Sequence, residues 1–539
     1  MDNINDLPVE ILERILSYLN FSDRKSACGV CSHWHNVLRT VRFQRQCRIH
    51  LSNEFDQELS DIEMRVIQNY RNMSLSLYSD DSDDDEDNEQ REDEGLIHLK
   101  YLFVPCPEIN MKKLLFGRFD LEALTLYCSF EGTREILENQ LADMINLREL
   151  ELFTYTNKYS SPDQSVWVIH HDRLKSLKID IKTAKPLKIV LPHLTKLELL
   201  FNCRYSFLTI ETYCWQLQSL IVHFRDPETM DDMMSLSFPM LTHLEVCMEE
   251  DKDVQLGYAQ TRNKFADKEK EENFIKSIPK LRSMVIGSNL FLYRIGMALS
   301  KFSHQLEELT LQDLKIDTAE LQSIEKLAKI KTIVLLYTKI ISPTQNLPKL
   351  YMPHLHHLSL LYHSSNIIFD SGLAGLKILK LILDSERNDK VLHKICNNLL
   401  NLERLELVLY NKWRKRCLRH LNNLKKLRTL RISYCDSDIY WTHCPVVPSL
   451  QTIIVDNCYK LRTETLQPIS RLFPGLVSIY LDDCVVTGSD EDDVTISANN
   501  VEFDETEEGK QRCYEQLKLM LPQCIISLDA TILRWQCCK

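Results

Sequence analysis

Leu376–Leu381 (LKILKL), Leu402–Leu407 (LERLEL) and Leu427–Ile432 (LRTLRI) carry one template, L-x-x-L-x-L, at start-to-start spacings of 26 and 25 residues. Working outward, the template opens at Leu121, Leu147, Leu174, Leu194, Leu217, Leu241, Leu281, Leu306, Ile330 and Leu355, and again at Leu450 and Leu476. That makes 15 copies, with isoleucine, valine or methionine replacing leucine at some anchors. Two weaker copies precede them, at Tyr70/Met73/Leu75 and Leu99/Leu102/Val104. One such hexamer means little, because leucine is common; fifteen in phase specify an architecture.

Thirteen of the 14 spacings fall within the roughly 20–29 residues of a leucine-rich repeat. The exception, 40 residues, contains a charged segment, 249–272, read as an exposed loop. The second and third anchors of each copy stand two apart, as inward-facing residues of a short strand do. One strand cannot bury its own apolar face, so neighbouring copies must stack into a parallel sheet over a shared leucine core, with helices closing each turn. Lys390–Leu400 and Thr463–Leu472 suit such helices. Three residues past the last anchor stand Cys435, Cys458 and Cys484, and in other copies Asn202 and Asn289, where a small side chain bonds local backbone as the chain leaves the strand.

The bulk numbers exclude several classes. A chain of 539 residues exceeds one ordinary core. Twelve glycines are too few for a fold rich in tight βα turns, such as a dinucleotide-binding domain. A net charge of −12 argues against nucleic acid, whose binders neutralise phosphates with a basic surplus. The basic stretch Lys412–Arg419 (KWRKRCLR) reads as a solvated helix face. Met1–Glu10 carries three acids and no basic leader, and no apolar run nears the roughly 20 residues that span a bilayer. With 18 scattered cysteines, these features point to a reducing interior, cytoplasmic or nuclear, with free thiols.

Residues 4–40, within an N-terminal helical module read as 4–50, follow a different period. Asp6 and Pro8 suit a helix start, and Leu7, Ile11, Leu12, Ile15, Leu16, Tyr18 and Leu19 then sweep an arc of roughly 180° at helical spacing. A second helical stretch, Asp23–Leu38, adds Ala27, Val30, Trp34, Val37 and Leu38. The excess apolar arc faces either a partner protein or this chain's own repeats. The run from Asp6 to Leu38 (DLPVEILERILSYLNFSDRKSACGVCSHWHNVL) resembles the F-box, through Leu7-Pro8, Glu10, Ile11, Ile15, Leu16, Tyr18-Leu19, Asp23, Ala27, Val30-Cys31, Trp34 and Leu38. Residues 457–487 resemble the cysteine-containing repeats typical of F-box proteins.

The resemblance implies an α/β protein: an all-α F-box of about three helices, then a curved leucine-rich-repeat solenoid over 51–539 with a concave parallel sheet and outer helices. The clear repeats cover 121–487, interrupted or trailed by acidic stretches at 79–94 and 489–508, and a cap follows at 510–539. It implies a substrate-recognition subunit of an SCF-type ubiquitin ligase, docking through a Skp-type adaptor on a cullin and RING subunit. Leu7, Pro8, Ile11, Leu12, Ile15 and Leu16 are expected to touch the adaptor, with Val30, Cys31 and Trp34 sharing contact and packing. A repeat scaffold or inhibitor outside ubiquitination is the alternative.

Residues alternating with the anchors should line the concave face. These are apolar at Val334, Leu336, Leu361, Ile378 and Ile382, basic at Lys380, Arg404 and Arg431, and acidic earlier at Glu149, Glu151, Glu198 and Glu245. His357 joins them, and this face is expected to hold an unidentified protein substrate. Asp80–Glu94 holds 11 acids and cannot collapse; within it, Ser82 ahead of Asp83-Asp84-Asp85-Glu86 is a candidate phosphosite. Cys28-x-x-Cys31 with His33 and His35 lacks a second ligand pair at zinc-finger spacing, so no metal or cofactor is expected. No phosphate-binding loop or nucleophile motif occurs, so no enzymatic activity is expected.

Overall fold

The computed structural model describes residues 7–19, 27, 30–38, 48–53, 72–77, 122–129, 141–155, 167–181, 187–200, 211–224, 227–248, 268–287, 295–341, 350–361, 369–383, 388–409, 417–434, 441–457, 461–462, 468–482, 486–487, 514–515, 518–519 and 521–527. The stretch 79–94 with Ser82, the loop 489–508, Asp6, Cys28, Asn202, Asn289, Cys435, Cys458 and Cys484 lie outside them. The chain divides into two compact units, Met1–Thr261 and Arg262–Lys539.

In the first unit the repeats supply strands β1 (Ala123–Ser129), β2 (Glu149–Tyr155), β3 (Ser176–Ile181), β4 (Lys196–Leu200), β5 (Ser219–Phe224) and β6 (His243–Met248). Each pairs in parallel with the next in chain order. The second unit continues the pattern with β7 (Ser283–Gly287), β8 (Glu308–Gln312), β9 (Thr332–Leu336), β10 (His357–Leu361), β11 (Ile378–Leu383), β12 (Arg404–Leu409), β13 (Thr429–Ser433), β14 (Thr452–Asp456) and β15 (Ser478–Asp482). Every one of the 15 copies thus carries a strand. A last strand, β16 (Ile525–Ser527), adds to β15. The weak copy around Met73 also forms one, Asn72–Leu77, paired in parallel with Arg48–Asn53.

Register is set by the leucines. Leu379, Leu405 and Leu430 are direct partners across β11, β12 and β13, and all three are fully buried. Each such side chain taken from water contributes about 1.5–3 kcal/mol. The first anchors Leu355, Leu376, Leu402 and Leu427 are also fully buried, in the turn before their strands. There one carbonyl accepts two amides of the next repeat: Lys377 O takes Glu403 N at 2.8 Å and Arg404 N at 2.9 Å. Stacking at this turn is tight enough that a Cβ on Gly375 would stand 2.0 Å from Pro353 O.

Four strand exits share one conformation. Asp313, Tyr337, Tyr434 and Asn457 follow β8, β9, β13 and β14 with φ of 51–56°, left-handed values that L-residues adopt uncommonly. The amides of Asp313, Tyr337 and Tyr434 are held by carbonyls of the next strand at 2.9–3.0 Å. Thr338, at the position that cysteine takes in later copies, is buried and donates its hydroxyl to Leu311 O at 2.8 Å.

Between strands the chain makes short helices and 3-10 turns. Thr318–Ile324 is capped by Asp317, whose Oδ1 accepts Glu320 N at 2.7 Å. Asn388–Asn398 covers most of the segment read as helical, whereas Ile469–Leu472 is a single turn. The last residues of the segment read as a loop, 268–272, open the helix Lys268–Lys276. No helix among the described residues is long and apolar enough to cross a membrane.

Candidate functional site

Two surfaces emerge. The first lies on α1 (Val9–Ser17). Pro8 precedes it with extended ψ, and its carbonyl accepts Ile11 N and Leu12 N, both at 3.0 Å. Leu12 and Leu16 point into a small core with Ala27, Val37 and Leu38, against which Leu19 and Trp34 pack. Val37 and Leu38 belong to α2 (Ser32–Leu38). A second stripe on α1 runs one residue ahead of the buried one. Ile11 is 45% exposed, Ile15 39% and Tyr18 78%, with Val9 at 42% and Val30 at 62% nearby in sequence. The nine residues expected at the adaptor therefore divide. Pro8, Ile11, Ile15 and Val30 are exposed, Leu7, Cys31 and Trp34 half-buried, and Leu12 and Leu16 wholly buried, with no atom left to offer a partner. Sequence reading missed Val9 and Tyr18 as members of the open stripe.

The second surface is the sheet face opposite the leucine anchors. In the second unit Val334, Leu336, His357, Leu361, Ile378, Lys380, Ile382, Arg404 and Arg431 all lie half-buried there, as their alternation with the anchors requires. His357, Ile378 and Arg404 are register partners across β10–β12; Lys380, Glu406 and Arg431 are partners across β11–β13; and Ile382 partners Val408. Leu336 and Leu361 are likewise partners.

Each cation found from sequence meets an acid that sequence reading missed. Glu406, nearly buried, accepts Arg404 Nε at 2.5 Å and lies 3.8 Å from Lys380 Nζ. Arg431 donates Nε and a terminal nitrogen to the two oxygens of Asp456 at 2.9 and 3.1 Å, and Ser433 Oγ adds a bond at 2.7 Å. The face is thus an apolar ribbon bordered by internally paired charge rather than a bare basic patch. The stretch 412–419 is similar at its described end, where Arg419 pairs with Asp389 at 2.8 Å.

His357 sits among these groups, and burial pushes its imidazole below the ordinary 6.5; Glu406 opposes that shift, and Arg404 and Lys380 reinforce it. The unfolded chain therefore takes up this proton first as pH falls. The histidine's share of stability is intact above about pH 6.5 and is lost as pH drops through the lowered folded value. Denaturation midpoints followed from about pH 7 to 5 should show a shallower decline for His357→Gln than for the wild type.

The face of the first unit carries its own pairs. Thr125 donates to Glu151 at 2.9 Å. Lys178 meets Glu198 at 2.5 Å and stands 5.6 Å above the Phe153 ring. His223 lies 3.6 Å from Glu245. Hydrogen bonding to His223 lowers the Glu245 carboxyl below its usual range, against an opposing push from burial.

A parallel, in-register ladder of repeats with an open face is a protein-interaction architecture. Residues 4–48 match the F-box-like family model. The chain thus joins an F-box-like segment to a parallel ladder of leucine-rich repeats. Among solved structures, an internalin (inlF) from Listeria monocytogenes shares 15% identity at a TM-score of 0.30, covering 55% of this chain and 76% of its own. A TLR13–ssRNA13 complex shares 17% at 0.46, covering 72% and 57%. The mouse RP105/MD-1 complex shares 15% at 0.36, covering 73% and 67%. No curated protein sequence matches at a significant level.

Proposed function

We propose that this chain is the substrate-recognition subunit of an SCF-type ubiquitin ligase, working in the cytoplasm or nucleus. The F-box-like segment binds a Skp-type adaptor, and through it a cullin and RING subunit; the repeats bind the protein to be modified. The observation that carries this reading is the open stripe of α1. A helical module this small has little core of its own, yet it leaves Val9, Ile11, Ile15, Tyr18 and Val30 in water. Their burial against an adaptor would give those side chains the environment that the buried stripe already has. The chain itself performs no chemistry in this scheme. It contributes proximity, holding a target lysine near a charged conjugating enzyme. The apolar ribbon from Val334 to Ile382 is the surface for the target, and Ser82 a phosphorylation point on the acidic stretch.

Co-purification tests the first contact. Ile11→Ala and Ile15→Ala should each weaken adaptor binding by about 1–2 kcal/mol, the loss typical of an interface anchor, and together should strip adaptor and cullin from the purified chain. Both side chains sit outside the small core, so folding should survive, as helical circular dichroism would verify. Equal adaptor recovery from wild type and the double variant refutes the assignment and leaves a repeat scaffold outside ubiquitination.

A further inference from the structure

The open face of the first unit holds a constellation that the adaptor reading does not use. His223 on β5 and Cys247 on β6 are direct register partners. Glu245 precedes Cys247 by two residues, so both project from the same side of β6. One ligand atom from each of the three lies within 4.8 Å of the others, and all three residues are half-buried. The His223–Glu245 separation is 3.6 Å. Zinc bonds of about 2.0–2.3 Å in a tetrahedron hold ligand atoms roughly 3.3–3.8 Å apart. That pair is already at the required distance, and the thiol, within 4.8 Å of both, has at most about 1 Å to close.

We propose that His223, Glu245 and Cys247 form a zinc(II) site on the sheet face. The thiol of Cys247 stands in the same sphere as the histidine and the carboxylate. Cys247 is a thiol rather than half of a disulfide. The donor set also selects the metal. Imidazole and thiolate favour zinc over magnesium or calcium, which prefer all-oxygen shells. Adjacent parallel strands, about 4.8 Å apart, fix the backbone beneath the three side chains. On binding, the thiol yields its proton to solvent and the sulfur donates its electron pair to the metal. Three protein ligands leave a fourth position for water or a donor from a bound protein, as in open zinc sites. Sequence reading passed over the trio because its spacing, H-x21-E-x-C, matches no ligand motif; only the strand register unites it.

The test uses the full chain stripped of metal by a chelator. Zinc is titrated against a chromophoric competitor with magnesium in excess, and cobalt(II) is substituted to read its thiolate-to-metal charge-transfer band. Cys247→Ser should abolish the band. Cys247→Ser and His223→Gln should each weaken zinc by at least about tenfold, since even loss of an outer partner of a ligand costs that much. Cys31→Ser should leave both readings unchanged. All three ligands project from an open face, so the metal-free variants should unfold at the wild-type temperature; Glu245→Gln, which keeps side-chain shape, gives a further variant expected to weaken zinc. Wild-type affinity and an intact band in Cys247→Ser, or a band lost only in Cys31→Ser, overturns the site. Adaptor recovery by Cys247→Ser should equal wild type, so this inference and the ligase reading stand or fall separately.

Discussion

Leu405→Ala is expected to destabilise the unit Arg262–Lys539 by about 2–5 kcal/mol, measured as a shift of the urea midpoint. Leu405 is fully buried between its partners Leu379 and Leu430. Truncation removes apolar atoms and leaves a cavity that the two neighbouring strands, pinned by their own ladders, can close only partly. The upper part of the range is expected if the midpoint falls without a change in slope, because the void then persists in a native sheet. Leu361→Ala, on the half-buried open face of β10, is the comparison and should cost less than about 1 kcal/mol. A Leu405→Ala protein as stable as wild type would contradict the buried spine.

Asp456→Ala should cost about 2–4 kcal/mol for a different reason. Asp456 is 4% exposed, and its carboxylate receives two bonds from Arg431 and one from Ser433. Removing it takes both acceptor oxygens from a guanidinium that is only a quarter exposed. Water can reach part of that group, which keeps the loss below the largest seen for fully buried pairs. A double-mutant cycle separates pairing from isolation. Replacing Arg431 and Asp456 together by apolar residues should recover much of the loss, because both members of the pair are then gone. If the single and double variants fall equally far, the cost lies in packing around β14 and not in the ion pair.

The leucine period made the strands legible, since each anchor triplet states both the strand and the face it buries. Side-chain partners across strands were less so. Glu406 is plainly visible in LERLEL, but its role as the acid between Lys380 and Arg404 depends on which residue of β11 stands beside it, and on rotamers. The N-terminal helix shows the same limit. Ile11/Ile15/Tyr18 and Leu12/Leu16/Leu19 are equally good apolar stripes at helical spacing. Which one is covered follows from how α2 lies across α1, a tertiary fact that the period of one helix does not contain. The acid at position 245 was legible as a face residue, whereas its approach to His223 required the pairing of β5 with β6.

Among the described residues, ladder contacts between consecutive repeats of a unit join residues one repeat apart, as Leu405 lies 26 residues from Leu379 and 25 from Leu430, and only the last strand, β16, reaches further, pairing Ser478 with Ile525. The entropy of closing such a loop changes little from one repeat to the next and does not grow with the length of the array. Parallel sheets are ordinarily slow to form because their strands must find distant partners. Here each strand's partner has just left the ribosome, so a nascent chain can lay down its sheet one rung at a time, and one end of the growing edge is always waiting for the next segment to be synthesised.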